Sequence, residues 1–327
     1  MVSDYLVYMD KFGIVNVYKP VGMTSFSVVS RIRRIFSEKK AGHCGTLDPF
    51  ACGVLPVCVG KATRVVRFME QYGKTYRCTM VFGKATDTQD VEGTVLHERN
   101  ITKTEQKALE ASDYQKIRDA FLKFSGDIMQ TPPMYSALKV DGKPLYAYAR
   151  EGKVLEIKPR KVTIHNLSVE RIYYDGELLR ADFTVSCSKG TYIRTIANDV
   201  GEDTGFFGYA EKLERTACGP FTMDTAFTLE ALEQLLEKES LEDALLPETM
   251  AIPHLFHLSL SSEEARRIRL GQRLPFSSFE ARLEEIFGKN PYLDQYIAAY
   301  EEGALVAVLQ PVQKDFVKLM KIERVFS

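Results

Sequence analysis

Residues 41–56 read Ala41-Gly42-His43-Cys44-Gly45-Thr46-Leu47-Asp48-Pro49-Phe50-Ala51-Cys52-Gly53-Val54-Leu55-Pro56, with a single acidic side chain, Asp48, in the middle. A stretch this apolar belongs largely inside a protein, and burying an unpaired carboxylate is costly. Asp48 is therefore expected to be paired with a cation or held for chemistry. Pro49 fixes its own φ and biases Asp48 toward extended backbone, so the carboxylate should be presented from a loop. The competing reading is a turn Asp that caps a neighbouring amide.

Five further stretches extend the pattern: Lys19-Pro20-Val21-Gly22-Met23-Thr24-Ser25, Lys74-Thr75-Tyr76, Thr86-Asp87-Thr88-Gln89-Asp90 with Gly93, Pro132-Pro133-Met134-Tyr135-Ser136-Ala137-Leu138-Lys139, and Cys187-Ser188-Lys189-Gly190-Thr191-Tyr192-Ile193-Arg194-Thr195. Taken in order with residues 42–55, these blocks resemble the TruB family of RNA pseudouridine synthases over most of residues 13–220. The chain departs from the commonest family pattern at Cys44, Phe50 and Cys52, which flank Asp48 and leave fine pocket shape open.

The resemblance implies an α+β fold. Residues 1–250 would form a catalytic domain on a mixed, mostly antiparallel β-sheet flanked by helices, with an RNA-binding arm inserted at about 126–160. Residues 251–327 would form a small PUA-like β-barrel that binds RNA. The implied reaction isomerises the T-loop uridine at tRNA position 55, with Asp48 as nucleophile on a flipped-out base. Arg194 would be its ion partner, and Tyr76 a stacking plane and late base. His43 and Tyr192 would contact or support the substrate, Lys19 and Pro20 would shape the wall behind the loop, and Lys189 and Gly190 would approach the RNA backbone. Isomerisation gains and loses no atom, so no cofactor and no metal are expected. The implied partner is tRNA, through its T stem-loop, with no obligate protein partner and a monomeric chain. Three other readings compete: the catalytic subunit of a guide-RNA particle, a non-catalytic RNA-binding or RNA-folding module, and a glycosidase. The last needs a second carboxylate beside Asp48, and no motif next to it carries one.

Composition is compatible with this. The 327 residues suit two domains, and no run approaches the ~20 apolar residues of a membrane span. The N-terminus, with Asp4 and Asp10, lacks the order of a signal peptide, so a cytoplasmic protein is expected. The six cysteines form no C-x-x-C pair, which favours buried, reduced thiols. The net charge of −1 hides an uneven distribution. Residues 1–70 hold ten Lys/Arg against five acids, and residues 123–161 hold eight against four. Residues 228–250 hold one against seven. The basic excess lies around the motif blocks, where an RNA backbone would be tracked.

Periodicity predicts strands over 13–20, 53–59, 75–82, 161–174 and 179–188, the last two joined at Asp175-Gly176. It predicts helices over 25–36 with Ser25 as N-cap, 61–71, 113–124, 192–203 and 229–246. Residues 126–159, broken by Pro132, Pro133, Pro144, Gly142 and Gly152, are expected to be irregular. Their tyrosines alternate with Lys and Arg, as in a nucleic-acid arm; a ligand-free surface hairpin is the alternative. Residues 251–253 read as a linker, Ser261-Ser262-Glu263-Glu264 as a capped helix start before Gly271, and 304–310 and 316–324 as strands.

Overall fold

The computed structural model describes residues 12–288, 293–314 and 317–326. Asp4, Asp10 and Lys11, on which the reading of the N-terminus and part of its charge count rest, lie outside the described residues, as does Phe316 at the start of the expected last strand. Two compact units are present. The larger comprises Val15–Val57 and Glu70–Ala244. The smaller comprises Cys58–Met69, Leu245–Ser327 and Met1–Ile14, as far as these are described.

Along the chain, β1 (Gly13–Lys19) leads to α1 (Ser25–Ile35), β2 (Ala41–His43) and β3 (Cys52–Val59). A 3₁₀ stretch then runs into one α turn, α2 (Val66–Met69). The strands β4 (Lys74–Phe82), β5 (Lys84–Thr86) and β6 (Val95–Glu98) follow, then α3 (Lys103–Ala111) and α4 (Gln115–Leu122). The arm holds β7 (Gly126–Gln130), β8 (Lys139–Val140), β9 (Lys143–Pro144) and α5 (Leu145–Arg150). After it come β10 (Arg160–Asp175), β11 (Leu178–Cys187), α6 (Ile193–Thr204), β12 (Gly208–Cys218), β13 (Phe221–Thr222) and α7 (Leu229–Glu237).

The main sheet runs β1-β3-β12-β4-β11-β10-β7, with β2 on β3 and β13 on β12. It is mixed: β3 and β12 are parallel, while β12, β4, β11, β10 and β7 pair antiparallel in turn. Strict alternation drives the two central strands together. Tyr76, Cys78, Met80 and Phe82 of β4 and Leu179, Ala181, Phe183, Val185 and Cys187 of β11 are all buried. Helix α6 packs on β12 and β4, and α4 packs on α6 and β10, with the Phe121 and Phe183 rings 5.0 Å apart. No disulfide joins any of the six cysteines, five of which are buried. Among the described residues no helix is long and apolar enough to cross a membrane.

Several expectations are corrected. The N-cap of α1 is Thr24, whose hydroxyl accepts from the Ser27 amide; Ser25 is buried and turned to another task. Residues 60–65 are 3₁₀ rather than α-helical. The acidic helix stops at Glu237, with Glu239 at φ 56° ending it. The β10–β11 turn centres on Gly176-Glu177, because Asp175 still pairs with Leu178. The stretch 126–159 is ordered in part. β7 joins the main sheet against β10, and Asp141 and Gly142, both at positive φ, close the β8–β9 hairpin ahead of α5. Periodicity also missed β12, whose Glu211, Lys212, Glu214 and Arg215 mask the alternation, and α3, a polar helix that buries only Leu109.

In the smaller unit, β14 (Phe256–Ser259), β15 (Ile297–Glu301), β16 (Ala304–Lys314) and β17 (Val317–Val325) form one sheet in that order. Between its strands lie α8 (Ser262–Arg269) and α9 (Glu280–Phe287). Ser261 and Glu264 make the expected capping box. The unit's core gathers Ile268, Phe279, Leu283, Ile297, Val306 and Leu309. No closed barrel is found among the described residues. Arg67 of α2 belongs to this unit, bonded to Glu323 at 2.7 Å and to the Tyr296 hydroxyl at 2.9 Å.

The parallel β3–β12 contact demands a glycine. Gly53 has φ +107°, and a Cβ there would lie 2.2 Å from the Arg215 carbonyl oxygen. Gly53→Ala is expected to cost about 1–3 kcal/mol, as overpacking does, and to lower the melting temperature by several degrees; an unchanged melt would show that this contact is loose.

Candidate active site

Asp48 lies in the loop between β2 and β3, as the Asp-Pro pair suggested. Three fasteners fix that loop. The Cys44 amide donates to the Pro56 carbonyl at 3.0 Å, closing the base. Ser25 brackets Leu47, its hydroxyl accepting from the Leu47 amide at 2.8 Å and donating to the Leu47 carbonyl at 3.0 Å. The carbonyl of Pro49 accepts from the Gly22 amide at 2.8 Å and from Lys19 Nζ at 3.3 Å. Lys19 is fully buried and also donates to the Pro20 and Met23 carbonyls. Burial brings its ammonium down to about 8, against the pull of Cys52 and Asp48. Lys19 thus acts here as a clamp on three carbonyls.

The partner of Asp48 comes from the first turn of α6. Arg194, 3 % exposed, places Nε 2.9 Å from Asp48 Oδ2. Its Nη1 donates to Asp90 Oδ2 at 3.0 Å and to the Thr88 carbonyl at 2.6 Å, and its Nη2 donates to the Tyr135 carbonyl at 2.9 Å. Four acceptors from three separate segments therefore converge on one planar fork, a geometry that Lys could not reproduce. Asp90 is itself bound by the Thr88 hydroxyl at 2.6 Å and the Glu92 amide at 3.0 Å. Asp90 is the second carboxylate that no motif next to Asp48 carried. It is buried behind Arg194 and does not line the cavity, so it steadies the guanidinium rather than facing a substrate.

Asp48 opens on a cavity of about 260 Å³ whose wall includes Tyr76, Ser136, Tyr192, Arg194 and Arg215. Its side chain is 36 % exposed, with protein packed on its other sides. Burial pushes its carboxyl above the ordinary 3.8; Arg194 pulls it back, Asp90 adds to the rise and Lys19 opposes it. Tyr76 lies on the buried row of β4, opposite Arg215 of β12 and Val185 of β11. Burial raises its phenol to about 12, with Arg215 opposing, so it is neutral at physiological pH.

The remaining expected residues divide. Tyr192 and Gly190 line the cavity. Gly190 has φ +79°, which few other residues adopt, and it turns the chain into α6. Lys189 is exposed next to that wall but is not part of it. His43, Lys19 and Pro20 lie outside the wall. Burial, and then the Arg215 charge, hold His43 below its usual 6.5, so it is neutral.

Periodicity and motif reading missed two side chains besides Asp90. Arg215 is fully buried; its Nε donates to the Val54 carbonyl at 2.7 Å and its Nη2 to the Gly45 carbonyl at 3.1 Å. It ties both ends of the Asp48 loop to β12. Gln130, at the end of β7, takes both backbone groups of Tyr192: its Nε2 donates to the carbonyl at 3.0 Å and its Oε1 accepts from the amide at 2.8 Å. That clamp fixes the start of α6 and so aims Arg194. A charged residue at an inward position of a strand, Leu213-x-Arg215, was the available signal for the first; nothing local distinguishes Gln130.

If catalysis needs the Asp48 carboxylate, activity should fall on the acid side at a pH above the ordinary 3.8. Asp90→Asn removes a charge that raises Asp48, so the acid limb of the rate–pH profile is expected to move to lower pH. The loosened guanidinium should lower kcat by up to about a hundredfold. A limb that stays in place or moves upward would contradict the electrostatic account.

Comparison with known proteins identifies the family. The family model for the TruB pseudouridylate synthase N-terminal domain matches residues 33–193, and that for the tRNA pseudouridylate synthase B C-terminal domain matches residues 194–252. The chain is 43% identical over 263 residues to the tRNA pseudouridine synthase B of Geobacter sulfurreducens, covering 80% of this chain and 82% of the relative. It is 38% identical over 314 residues to that of Geobacillus thermodenitrificans, covering 95% and 99%. Among solved structures, a chain of a Cbf5-Nop10-Gar1 complex superposes with a TM-score of 0.69 at 26% identity, covering 97% of this chain and 85% of that one. Two family models that follow one another over residues 33–252, and relatives about 40% identical over most of both chains, lead to one conclusion: the chain belongs to the TruB family of pseudouridylate synthases.

Proposed function

We propose that this chain converts the T-loop uridine at position 55 of tRNA to pseudouridine, with Asp48 as nucleophile. The observation that carries the reading is the 2.9 Å pair between Asp48 and Arg194 on the wall of a cavity that can hold a pyrimidine. The tRNA pseudouridine synthase B relatives at about 40% identity support tRNA as the substrate. Their similarity is greater than that to the Cbf5 chain, which favours a stand-alone enzyme over the subunit of a guide-RNA particle.

The chemistry follows from the groups present. The N1–C1′ bond of the uridine breaks, the uracil turns within the cavity, C5 bonds to C1′, the C5 proton leaves, and N1, now free of the sugar, takes up one proton. Atoms balance without a co-reactant. Asp48 either adds to the ring or acts at the ribose, and Arg194 keeps it ionised in surroundings that favour the neutral acid. Extruding the uridine costs a few kcal/mol. The Tyr76 ring offsets part of this by stacking, about 1–3 kcal/mol per base. A neutral Tyr76 suits the role of plane through most of the cycle, and its high basicity once ionised suits the last proton transfer. His43, neutral beside the loop, assists the extruded conformation, and Lys189 faces phosphate. Residues 1–250 carry catalysis, and residues 251–327 bind RNA as a PUA-like domain. The protein works as a cytoplasmic monomer on the T stem-loop.

Asp48→Asn is expected to abolish release of tritium from tRNA labelled at uridine C5 while leaving tRNA binding within a few-fold of wild type. Full turnover in that variant would remove Asp48 from the mechanism. Tyr76→Leu should lower turnover by at least about tenfold, the size of one lost stacking contact, with a small change in melting temperature. A collapse in stability would make Tyr76 a core residue only.

A further inference from the structure

The cavity wall contains five buried side chains with polar atoms: Lys74, Tyr76, Ser136, Arg194 and Arg215. Four have partners inside the protein. Lys74 Nζ donates to the Tyr72 carbonyl at 2.7 Å, Tyr76 meets Arg215, and the two guanidiniums bind the carbonyls and carboxylates described above. Ser136 does not. It is 5 % exposed, and its Oγ is closed to solvent with no hydrogen-bond partner among the described residues, so a turn about its own χ1 is what presents it to a ligand in the cavity. Proteins rarely leave a buried hydroxyl unpaired, because its lost hydration is not returned. Such a group at a cavity wall is explained if its partner arrives with the ligand.

The backbone around it is, by contrast, held firmly. The Ser136 carbonyl accepts from the Tyr146 amide at 3.1 Å, and the Leu138 carbonyl accepts from the Leu145 amide at 2.8 Å, so the start of α5 pins this stretch. One residue back, the Tyr135 carbonyl accepts from Arg194 Nη2. The hydroxyl is therefore mounted on a fixed backbone, in register with the guanidinium that holds Asp48.

We propose that Ser136 Oγ donates a hydrogen bond to a carbonyl oxygen of the uracil in the cavity and so positions the base for isomerisation. This rests on the pseudouridine synthase reading above. Uracil presents two carbonyl oxygens, and the cationic donors of the wall are engaged with the protein's own carbonyls and carboxylates. Among the five buried groups Ser136 is the neutral donor left over, and a neutral donor holds the base without competing for Asp48.

The test combines kinetics, melting and substrate analogues on the full chain. In Ser136→Ala, kcat/KM for tRNA should fall by on the order of tenfold, as expected for one lost neutral hydrogen bond. The melting temperature should stay level or rise, since the unpaired hydroxyl is gone. Replacing the target uridine by 2-thiouridine or 4-thiouridine, whose sulfur is a poor acceptor, should slow the wild type. For one of the two analogues that penalty should vanish in Ser136→Ala. The inference is overturned if Ser136→Ala keeps wild-type kinetics, if it melts lower in proportion to its lost activity, or if both thio penalties persist in full. An inactive wild type would overturn the pseudouridine synthase reading and this contact with it. An active wild type beside an unaffected variant would sink only the Ser136 contact.

Discussion

A single buried guanidinium organises the larger unit's functional end. Arg194 binds Asp48, Asp90 and the carbonyls of Thr88 and Tyr135, so four of its five hydrogens are spent on parts of the chain 59 to more than 100 residues away. Removing one partner of such a buried pair typically costs about 3–5 kcal/mol, because the other charge is left stranded. The arrangement therefore couples these segments through one side chain. The loop, the Thr86–Asp90 segment, the Tyr135 segment and the start of α6 occupy their places together.

That constraint explains the second tier of contacts. Gln130 clamps the backbone of Tyr192 and so fixes where α6 begins. Lys19 and Ser25 hold the far side of the Asp48 loop, and Arg215 ties Gly45 and Val54 to β12. Around Asp48 itself, Arg194 and Lys19 oppose the rise that burial and Asp90 give its carboxyl.

The strands β4, β10 and β11 were legible because alternating residues point to opposite faces and only one face is apolar. The central strand β12 was not, since its charged residues engage partners across the sheet, such as Arg180 with Glu211, and break the pattern. Asp48 stood out locally as a charge in an apolar stretch. Arg194 was tied to it only through family resemblance, because 146 residues separate the two and no local rule joins them. Asp90 was quoted within a motif but without a role, for its role exists only beside Arg194. Gln130 acts on the backbone of Tyr192, which leaves no trace in side-chain pattern, whereas Arg215 showed only as a charge at an inward strand position, without the carbonyls that it binds. The tail was read as a barrel by resemblance alone; its described strands form one four-stranded sheet, in a unit that also gathers residues 58–69.

The most direct test is chemical mapping of pseudouridine, by carbodiimide adducts that stop reverse transcription, in unmodified tRNA incubated with the purified protein. The account predicts one new stop, at the T-loop uridine 55. No stop, or stops only at other uridines, would contradict it.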